Sequence, residues 1–272
     1  MINGKPFVVK AKMDKRYRLW VVGDLHLYNR SCIEEEIDAM VKEIKEDPYA
    51  LWIGVGDYAD CISFDDPRFH PNEIAVDKRS AYFDGFAEEI VADVCEKFEP
   101  IKKKCLGLLE GNHEHKFDQK SQKNFHSALV ADICETLKVR FLGYSGVFDL
   151  VFQQGKKKEI FKIYAHHGAG GSTTTGGKIN KLKKMMIEVF DADIYCMGHC
   201  HEQMDLPMVY LHQKDGKICE RKKMGVITGS YLATYRAGST SYGEIAMYSP
   251  VSIGSIAVTI VPGTRRLGTE KR

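Results

Sequence analysis

Short apolar runs that stop at glycine recur along this chain. Arg18 to Val22 ends in Leu-Trp-Val-Val and meets Gly23; Ala50 to Val55 meets Gly56; Cys105 to Leu109 leads into Gly111. Runs of this length without polar alternation predict buried strands. Between the first two, a helix is predicted to start at Ser31, with Glu34 at the capping-box spacing. Ile33, Ile37, Met40, Val41 and Ile44 follow at helical intervals, and Pro48 lies just past the end. Strand, helix, strand is the pattern of a parallel βαβ pair.

The same reading continues along the chain. Ser63 to Glu73 reads as a loop. Asp77 to Phe98 predicts a long helix, with Tyr82, Phe86, Ile90, Val94 and Phe98 at every fourth position before Pro100. A helix around Asn124 to Leu137 carries Phe125, Leu129, Ile133 and Leu137 on one face. Phe141 to Phe152 and Glu159 to Ala165 read as two strands joined by a polar turn, the second delivering His166. Ala169 to Gly177 is a glycine- and threonine-rich loop. Its Gly171 and Gly176 have phosphate-loop spacing, but Gly177 stands where lysine is required. Lys178 to Phe190 predicts a helix, and Ile194 to Met197 a strand that delivers His199. Met208 to His212, an Asp215-Gly216 hairpin turn, Lys217 to Ile227 and Ser255 to Val261 make the last third strand-like. With no internal repeat or low-complexity linker, the expectation is one domain over residues 1–272, α/β in class: parallel βαβ units, then a more antiparallel half.

Composition changes this picture little. Hydrophobic residues at 44% and charged residues at 28% are ordinary for a globular protein, and 272 residues can bury a core without disulfides. A net charge of +2 gives no polybasic arm, yet leaves a phosphate-rich substrate open. The lysine-rich runs at 102–104, 156–158 and 221–223 read as solvated faces; on one side of a site they would form a nucleic-acid track. Eight cysteines without a Cys-x-x-Cys pair read as reduced thiols. No stretch has the length of a membrane span, and Met1 to Lys15 has polar breaks where a signal peptide needs an apolar run. A cytoplasmic protein without a membrane role is expected.

Five stretches carry candidate chemistry: Gly23-Asp24-Leu25-His26, Gly56-Asp57-Tyr58-Ala59-Asp60, Gly111-Asn112-His113-Glu114, His166-His167-Gly168 and Gly198-His199-Cys200-His201. Each follows an apolar run, and strand ends of an open α/β sheet are where ligand residues gather. Asp24, His26, Asp57, Asn112, His166, His199 and His201 offer three oxygens and four imidazoles. That set suits two first-row transition metals sharing a carboxylate. Calcium would want more oxygen, and a zinc finger would want thiolates.

In this order the stretches resemble the calcineurin-like metallophosphoesterases over about residues 19 to 201. The resemblance implies a sandwich of two mixed β-sheets flanked by helices. It implies Asp24, His26 and His201 on one metal, Asn112, His166 and His199 on the other, and Asp57 as the bridge. His166 is preferred to His167 because it comes first after Ile163-Tyr164-Ala165. Asp57 and His113 would be the catalytic pair, with Asn112 and His113 contacting substrate. A hydroxide bridging the two metals would attack phosphorus, and a protonated His113 would stabilise charge or donate to the leaving alkoxide. Manganese leads as the metal, with iron, zinc and nickel as alternatives.

Departures narrow the activity. Protein phosphatases of this family follow Gly-Asp-x-Val-Asp with Arg-Gly, whereas Cys61-Ile62 follows Asp60 here. Asp24-Leu25-His26-Leu27 resembles the opening of the double-strand-break nuclease branch, although Glu114 replaces that branch's aspartate. The segment from Thr228-Gly229-Ser230-Tyr231 to Pro250 is loosely similar to uncharacterised phage and bacterial members. Tyr231, Tyr235, Tyr242 and Tyr248 are candidates for stacking on a base. The expected substrate is a phosphodiester in a nucleotide or nucleic acid. The alternatives are a phosphatase acting on a small molecule and a protein-binding scaffold of the same fold.

Overall fold

The computed structural model describes residues 2–62, 69, 73–78, 86–120, 128–235, 242–245 and 247–272. Most of the loop predicted at Ser63 to Glu73 lies outside these, as do 79–85, part of the helix predicted from Asp77, and 121–127, which hold the start of the helix predicted from Asn124; Asp77 itself lies in a 3-10 turn over Val76–Lys78. In chain order the strands are β1 (Ile2–Asn3), β2 (Phe7–Lys10), β3 (Tyr17–Val22), β4 (Ala50–Gly54), β5 (Cys105–Leu108), β6 (Ser145–Gln154), β7 (Lys157–His166), β8 (Ile194–Met197), β9 (Met204–Lys214), β10 (Lys217–Ile227), β11 (Ile256–Val261) and β12 (Arg266–Lys271). The helices are α1 (Glu34–Glu46), α2 (Phe86–Phe98), α3 (Asn112–Lys120), α4 (Leu129–Leu137), α5 (Thr175–Lys184) and the short α6 (Tyr242–Ile245).

The strands form two mixed sheets. One runs β12-β11-β3-β4-β5, with β3, β4 and β5 parallel and β11 antiparallel to β3. The other runs β1-β6-β7-β8-β10-β9, with β2 also on β6 and β8 parallel to both β7 and β10. Period-two alternation explains why their central strands read as continuous apolar runs. In β3, Leu19 and Val21 enter the core between the sheets, while Trp20 and Val22 meet α1, α2 and α4 on the other side. In β7 and β8, Phe161, Ile163, Ala165, Ile194 and Cys196 face the same inter-sheet core. Tyr164, Tyr195 and Met197 face outward, toward Leu182 and Met186 beside α5. The order of layers is therefore helix, sheet, sheet, helix, and the parallel strands end together at one edge.

Several elements depart from expectation for local reasons. α1 begins at Glu34, three residues after Ser31, and no side chain caps it. Ser31 instead sits in a turn where its N–H donates to Asn29 Oδ1 at 2.8 Å. Glu34, Glu35 and Glu36 occupy the first turn, where the helix dipole favours carboxylates. α3 was not foreseen because Asn112–Lys120 has one apolar residue, Phe117, and so no apolar stripe. β12 was missed because Arg-Leu-Gly-Thr-Glu-Lys is polar, as suits an edge strand. α5 starts at Thr175, earlier than Lys178, because the Thr174 hydroxyl accepts the Gly177 N–H. A π-helical turn over Met185–Val189 prolongs it. All eight cysteines are free thiols. Among the described residues no helix is long and apolar enough to cross a membrane.

Phe148 is 2% exposed between the sheets, whereas Val209 is 57% exposed on the β9–β10 hairpin. In urea unfolding, Phe148→Ala is expected to cost about 3–5 kcal/mol, and Val209→Ala less than about 0.5 kcal/mol. Equal costs would mean the inter-sheet core is misplaced.

Candidate metal centre

The site lies where the parallel strands end. Asp24 and His26 follow β3, Asp57 follows β4, Asn112 and His113 open α3 just after β5, His167 follows β7, and His199 and His201 follow β8. The backbone turns sharply at these ends. Asp24, His26, Asp57, His199 and His201 all have φ between +51° and +67°, the left-handed region that side chains disfavour. Adjacent ends are stitched together, Asp24 N–H donating to Gly56 O and Gly198 N–H to His167 O, both at 2.9 Å. Gly111 must be glycine, because a Cβ there would lie 2.1 Å from Asp57 Oδ1.

The side chains converge in two groups that share Asp57. In the first, donor atoms of Asp24, His26, Asp57 and His201 lie within 4.8 Å of one another. His26 Nε2 is 3.1 Å from His201 Nε2, and His201 Nε2 is 3.3 Å from Asp24 Oδ1. In the second, donor atoms of Asp57, His167 and His199 meet the same limit. Asn112 Oδ1 joins them, 3.0 Å from His167 Nε2 and 2.7 Å from His199 Nδ1.

His166 is the expected residue that does not arrive; His167 stands in its place. Ile163 and Ala165 face the inter-sheet core, so the next residue on that face is His167. The His167 ring is fully buried, with Nε2 3.3 Å from Asp57 Oδ2 and Nδ1 2.6 Å from Val55 O. His166 faces the other way and accepts the Gly168 N–H on its Nδ1 at 2.8 Å. The alternation was legible in Phe161-Lys162-Ile163-Tyr164-Ala165.

Two further acids belong to the site. Asp60 Oδ1 is 2.9 Å from His113 Nδ1 and 3.3 Å from His26 Nδ1. Glu114 is 1% exposed and reaches back to the Asp57 turn. Its carboxylate accepts the N–H groups of Tyr58 at 2.6 Å and of Asp57 and Gly111 at 3.0 Å each. Asp60 and Glu114 both stand in the quoted motifs, but a motif does not say that these carboxylates face inward to imidazoles and backbone donors.

The electrostatics follow from burial among mixed charges. Burial pushes the Asp57 carboxyl up, and His167, His113 and His26 more than offset this and hold it well below the usual range. Burial pushes His167 down, but Asp57 overrides it and raises the imidazole to about 9. Burial and neighbouring His167 lower His199 to about 4. Burial, with Asp57 close by, raises Glu114 to about 7. Asp60 is held low by hydrogen bonds from His113 and His26 despite its burial.

Donor chemistry fits transition-metal cations. Each group mixes imidazole nitrogen with carboxylate oxygen, and one carboxylate lies in both. The second nitrogen of His167 faces a carbonyl and that of His26 a carboxylate, the arrangement that fixes a ligand's tautomer. Above both groups opens a cleft of 570 Å³, with Asn112, His113, Lys116, Tyr144, Lys178 and Tyr248 among its walls.

Other candidates are absorbed elsewhere. Cys200 packs against the α5 side of the second sheet. Tyr231 is buried, with its hydroxyl 2.9 Å from Ser255 Oγ. Tyr235 donates to Tyr248 O at 3.0 Å. The Tyr242 side chain lies outside the described residues. Lys104 donates to the carbonyls of Ile44, Lys45 and Asp47 at the end of α1, while Arg221 and Lys223 pair with Asp191.

The calcineurin-like phosphoesterase family pattern matches residues 17–203. The chain belongs to that family, and its Asp and His clusters suggest a divalent metal centre. No curated protein matches the chain. Among solved structures it is similar to GAP50, the anchor in the inner membrane complex of Plasmodium, at 10% identity and a TM-score of 0.43, covering 94% of this chain and 88% of that one. It is also similar to Thermotoga maritima protein TM1076, at 14% identity and a TM-score of 0.33, covering 94% and 98%. A third is the protein of unknown function AQ665 from Aquifex aeolicus, at 12% identity and a TM-score of 0.28, covering 68% and 80%.

Two outcomes are expected here. His167→Ala should weaken manganese binding at micromolar metal, while His166→Ala leaves it unchanged; the reverse would make His166 the ligand. The second outcome concerns pH. The folded-state His167 value of about 9 exceeds its ordinary 6.5. Its proton therefore stabilises the metal-free fold fully below pH 6.5, and that contribution is lost as pH rises through about 9. Urea midpoints of the metal-free chain should fall across this window, and His167→Ala should flatten the fall.

Proposed function

We propose that this chain is a dinuclear metal-dependent phosphoesterase that prefers a phosphodiester of nucleotide or nucleic-acid type. The observation that carries this reading is the sharing of Asp57 between two mixed imidazole–carboxylate groups. Asp24, His26 and His201 would hold one metal and Asn112, His167 and His199 the other, with Asp57 between them. When bound, such a pair lowers the pKa of water toward neutrality and neutralises phosphate oxygens. Manganese is the leading identity on the carboxylate donors; the imidazoles suit iron, zinc and nickel as well, and metal availability decides among them.

The chain's own groups do the rest. Asp60 faces the Nδ1 of His113 at 2.9 Å, so a protonated His113 would donate its Nδ1–H to Asp60 and leave Nε2 to donate to a phosphate oxygen or the leaving alkoxide. The same carboxylate lies 3.3 Å from His26 Nδ1, which keeps that ring's Nε2 lone pair toward Asp57 and His201. Glu114 holds the Asp57 turn through three backbone N–H groups.

The diester preference rests on what lines the cleft. Ile62 lines it two residues after Asp60, in the stretch where protein phosphatases place a guanidinium. Lys116 and Lys178 are the cations among its described lining residues. A phosphomonoester carries close to two negative charges at neutral pH, and a diester carries one. A wall without a bidentate clamp discriminates less against the diester.

Hydrolysis of bis-p-nitrophenyl phosphate and p-nitrophenyl phosphate, with manganese and after chelation, tests the proposal. Metal-dependent turnover of the diester is expected to exceed that of the monoester. No metal-dependent turnover of either would favour a binding scaffold, and faster monoester cleavage would favour a small-molecule phosphatase. Asp57→Asn is expected to lower kcat at least about 100-fold, as loss of a group acting on both metals should; a wild-type rate would overturn the bridging role.

A further inference from the structure

The lysines around the cleft are not equally available to a ligand. Lys178 lines it, but its Nζ donates to Glu202 Oε2 at 2.8 Å and its side chain is 12% exposed. Lys181 caps the carbonyls of Ala169 and Gly170, two residues of the cleft wall. Lys116 is different. It is exposed, it lines the cleft, and among the described residues it has no ion-pair partner.

Its position on α3 gives that charge a direction. Lys116 follows His113 by three residues and Asn112 by four, and all three line the cleft. Helical residues at those spacings have Cβ atoms about 5–6 Å apart. A helical side chain also leans toward the N-terminus, over the preceding turn. The Lys116 stem therefore leans back toward Asn112 and His113, while its own turn lies one step farther out. Burial marks the same direction, since His113 is 9% exposed and Lys116 stands in solvent. A flexible ammonium acts as a point charge rather than a fork, which suits a phosphate that no other group holds rigidly.

The scissile phosphate belongs at the two donor groups, against Asn112 and His113. An isolated diester brings no further charge for Lys116 to meet. A nucleic-acid strand carries one negative charge at every linkage, so the next phosphate along it lies outside the first. We infer that Lys116 binds the phosphate adjacent to the scissile one, so that the cleft takes a nucleic-acid strand in preference to an isolated diester. The inference rests on the phosphodiesterase reading for its setting. The affinity of Lys116 for a neighbouring phosphate is a property of binding and can be read without turnover.

The test removes one partner of this pair at a time, on the full chain as wild type, Lys116→Met and Lys116→Arg. Methionine and arginine both suit an exposed helical position. The probes are a thymidine trinucleotide with both linkages charged and its two analogues with one linkage or the other replaced by an uncharged methylphosphonate. With manganese present, kcat/KM is read for each cleaved phosphodiester. Wild type is expected to favour the fully charged strand over one of the analogues about fivefold, the upper end for an exposed charge pair, through KM rather than kcat. Lys116→Met should abolish that preference and Lys116→Arg should keep it, and added salt should shrink it in wild type. Bis-p-nitrophenyl phosphate should lose less from Lys116→Met than the charged strand does. No preference in wild type, or the same preference in Lys116→Met, would overturn the inference. An equal loss on both substrates would also overturn it and place Lys116 at the scissile phosphate itself. Calorimetric binding of the same strands without metal gives the reading independent of turnover. If wild type cleaves none of these substrates, the phosphodiesterase reading fails, and the binding constants then decide Lys116, with equal affinities for charged and neutralised strands counting against it.

Discussion

Five non-glycine residues at the strand ends hold left-handed backbone conformations, and all five carry the side chains of the two donor groups. Each such conformation costs on the order of 1 kcal/mol and persists only where the surroundings over-determine it. The cost has a geometric return. A strand that continued straight would send its side chains alternately to opposite faces. Asp24 and His26, or His199 and His201, are two apart and share a face under that alternation; the left-handed turns bend the chain out of the sheet and carry these side chains to the donor groups at the strand ends. The sandwich supplies the over-determination, since the strands behind these turns are buried on both faces.

The carboxylates do a second job that the backbone requires. Both oxygens of Asp24 accept the His199 N–H, at 3.0 and 2.8 Å, which ties the end of β3 in one sheet to the end of β8 in the other. Asp57 Oδ1 accepts the His113 N–H at 2.9 Å, joining the β4 end to the start of α3. Glu114 returns the favour to the Asp57 turn. A candidate metal ligand here is thus also a fastener between loops. Substituting one removes a donor atom and loosens the turn that presents its neighbour, so single substitutions in this cluster should couple more strongly than their number suggests.

Much of this was legible in the residues. The apolar runs before Gly23, Gly56 and Gly111 announced the parallel strands, and the ordered motifs marked the strand ends that meet. What stayed hidden had local causes. α3 has no apolar stripe because its inward face carries His113 and Glu114. The start of α1 was read three residues early because the Ser31-to-Glu34 spacing fits a capping box, whereas Asn29 claims the Ser31 N–H. His166 comes first after the apolar run, but Ile163 and Ala165 mark His167 as the residue on the inner face. The partnership of Lys181 with Ala169 and Gly170 spans 11 and 12 positions between a loop and a helix, and no periodicity encodes it.

The metal-free cluster shows what a cation would replace. Asp24, Asp57, Asp60 and Glu114 are buried together at the strand ends. Ionised carboxylates in such a place are tolerated only when paired. Here the pairing comes from imidazoles and backbone N–H groups, and the raised His167 beside the depressed Asp57 is the strongest case. A proton on His167 therefore occupies electrostatic ground that a metal would take over, since a ligating imidazole must be neutral. Uptake of metal should then release protons and tighten as pH rises. The metal-free fold weakens over the same rise, through loss of the His167 proton. Stability and metal affinity should thus move in opposite directions with pH, because one imidazole would serve both, and a bound cation would supply the positive charge that the departing proton takes away.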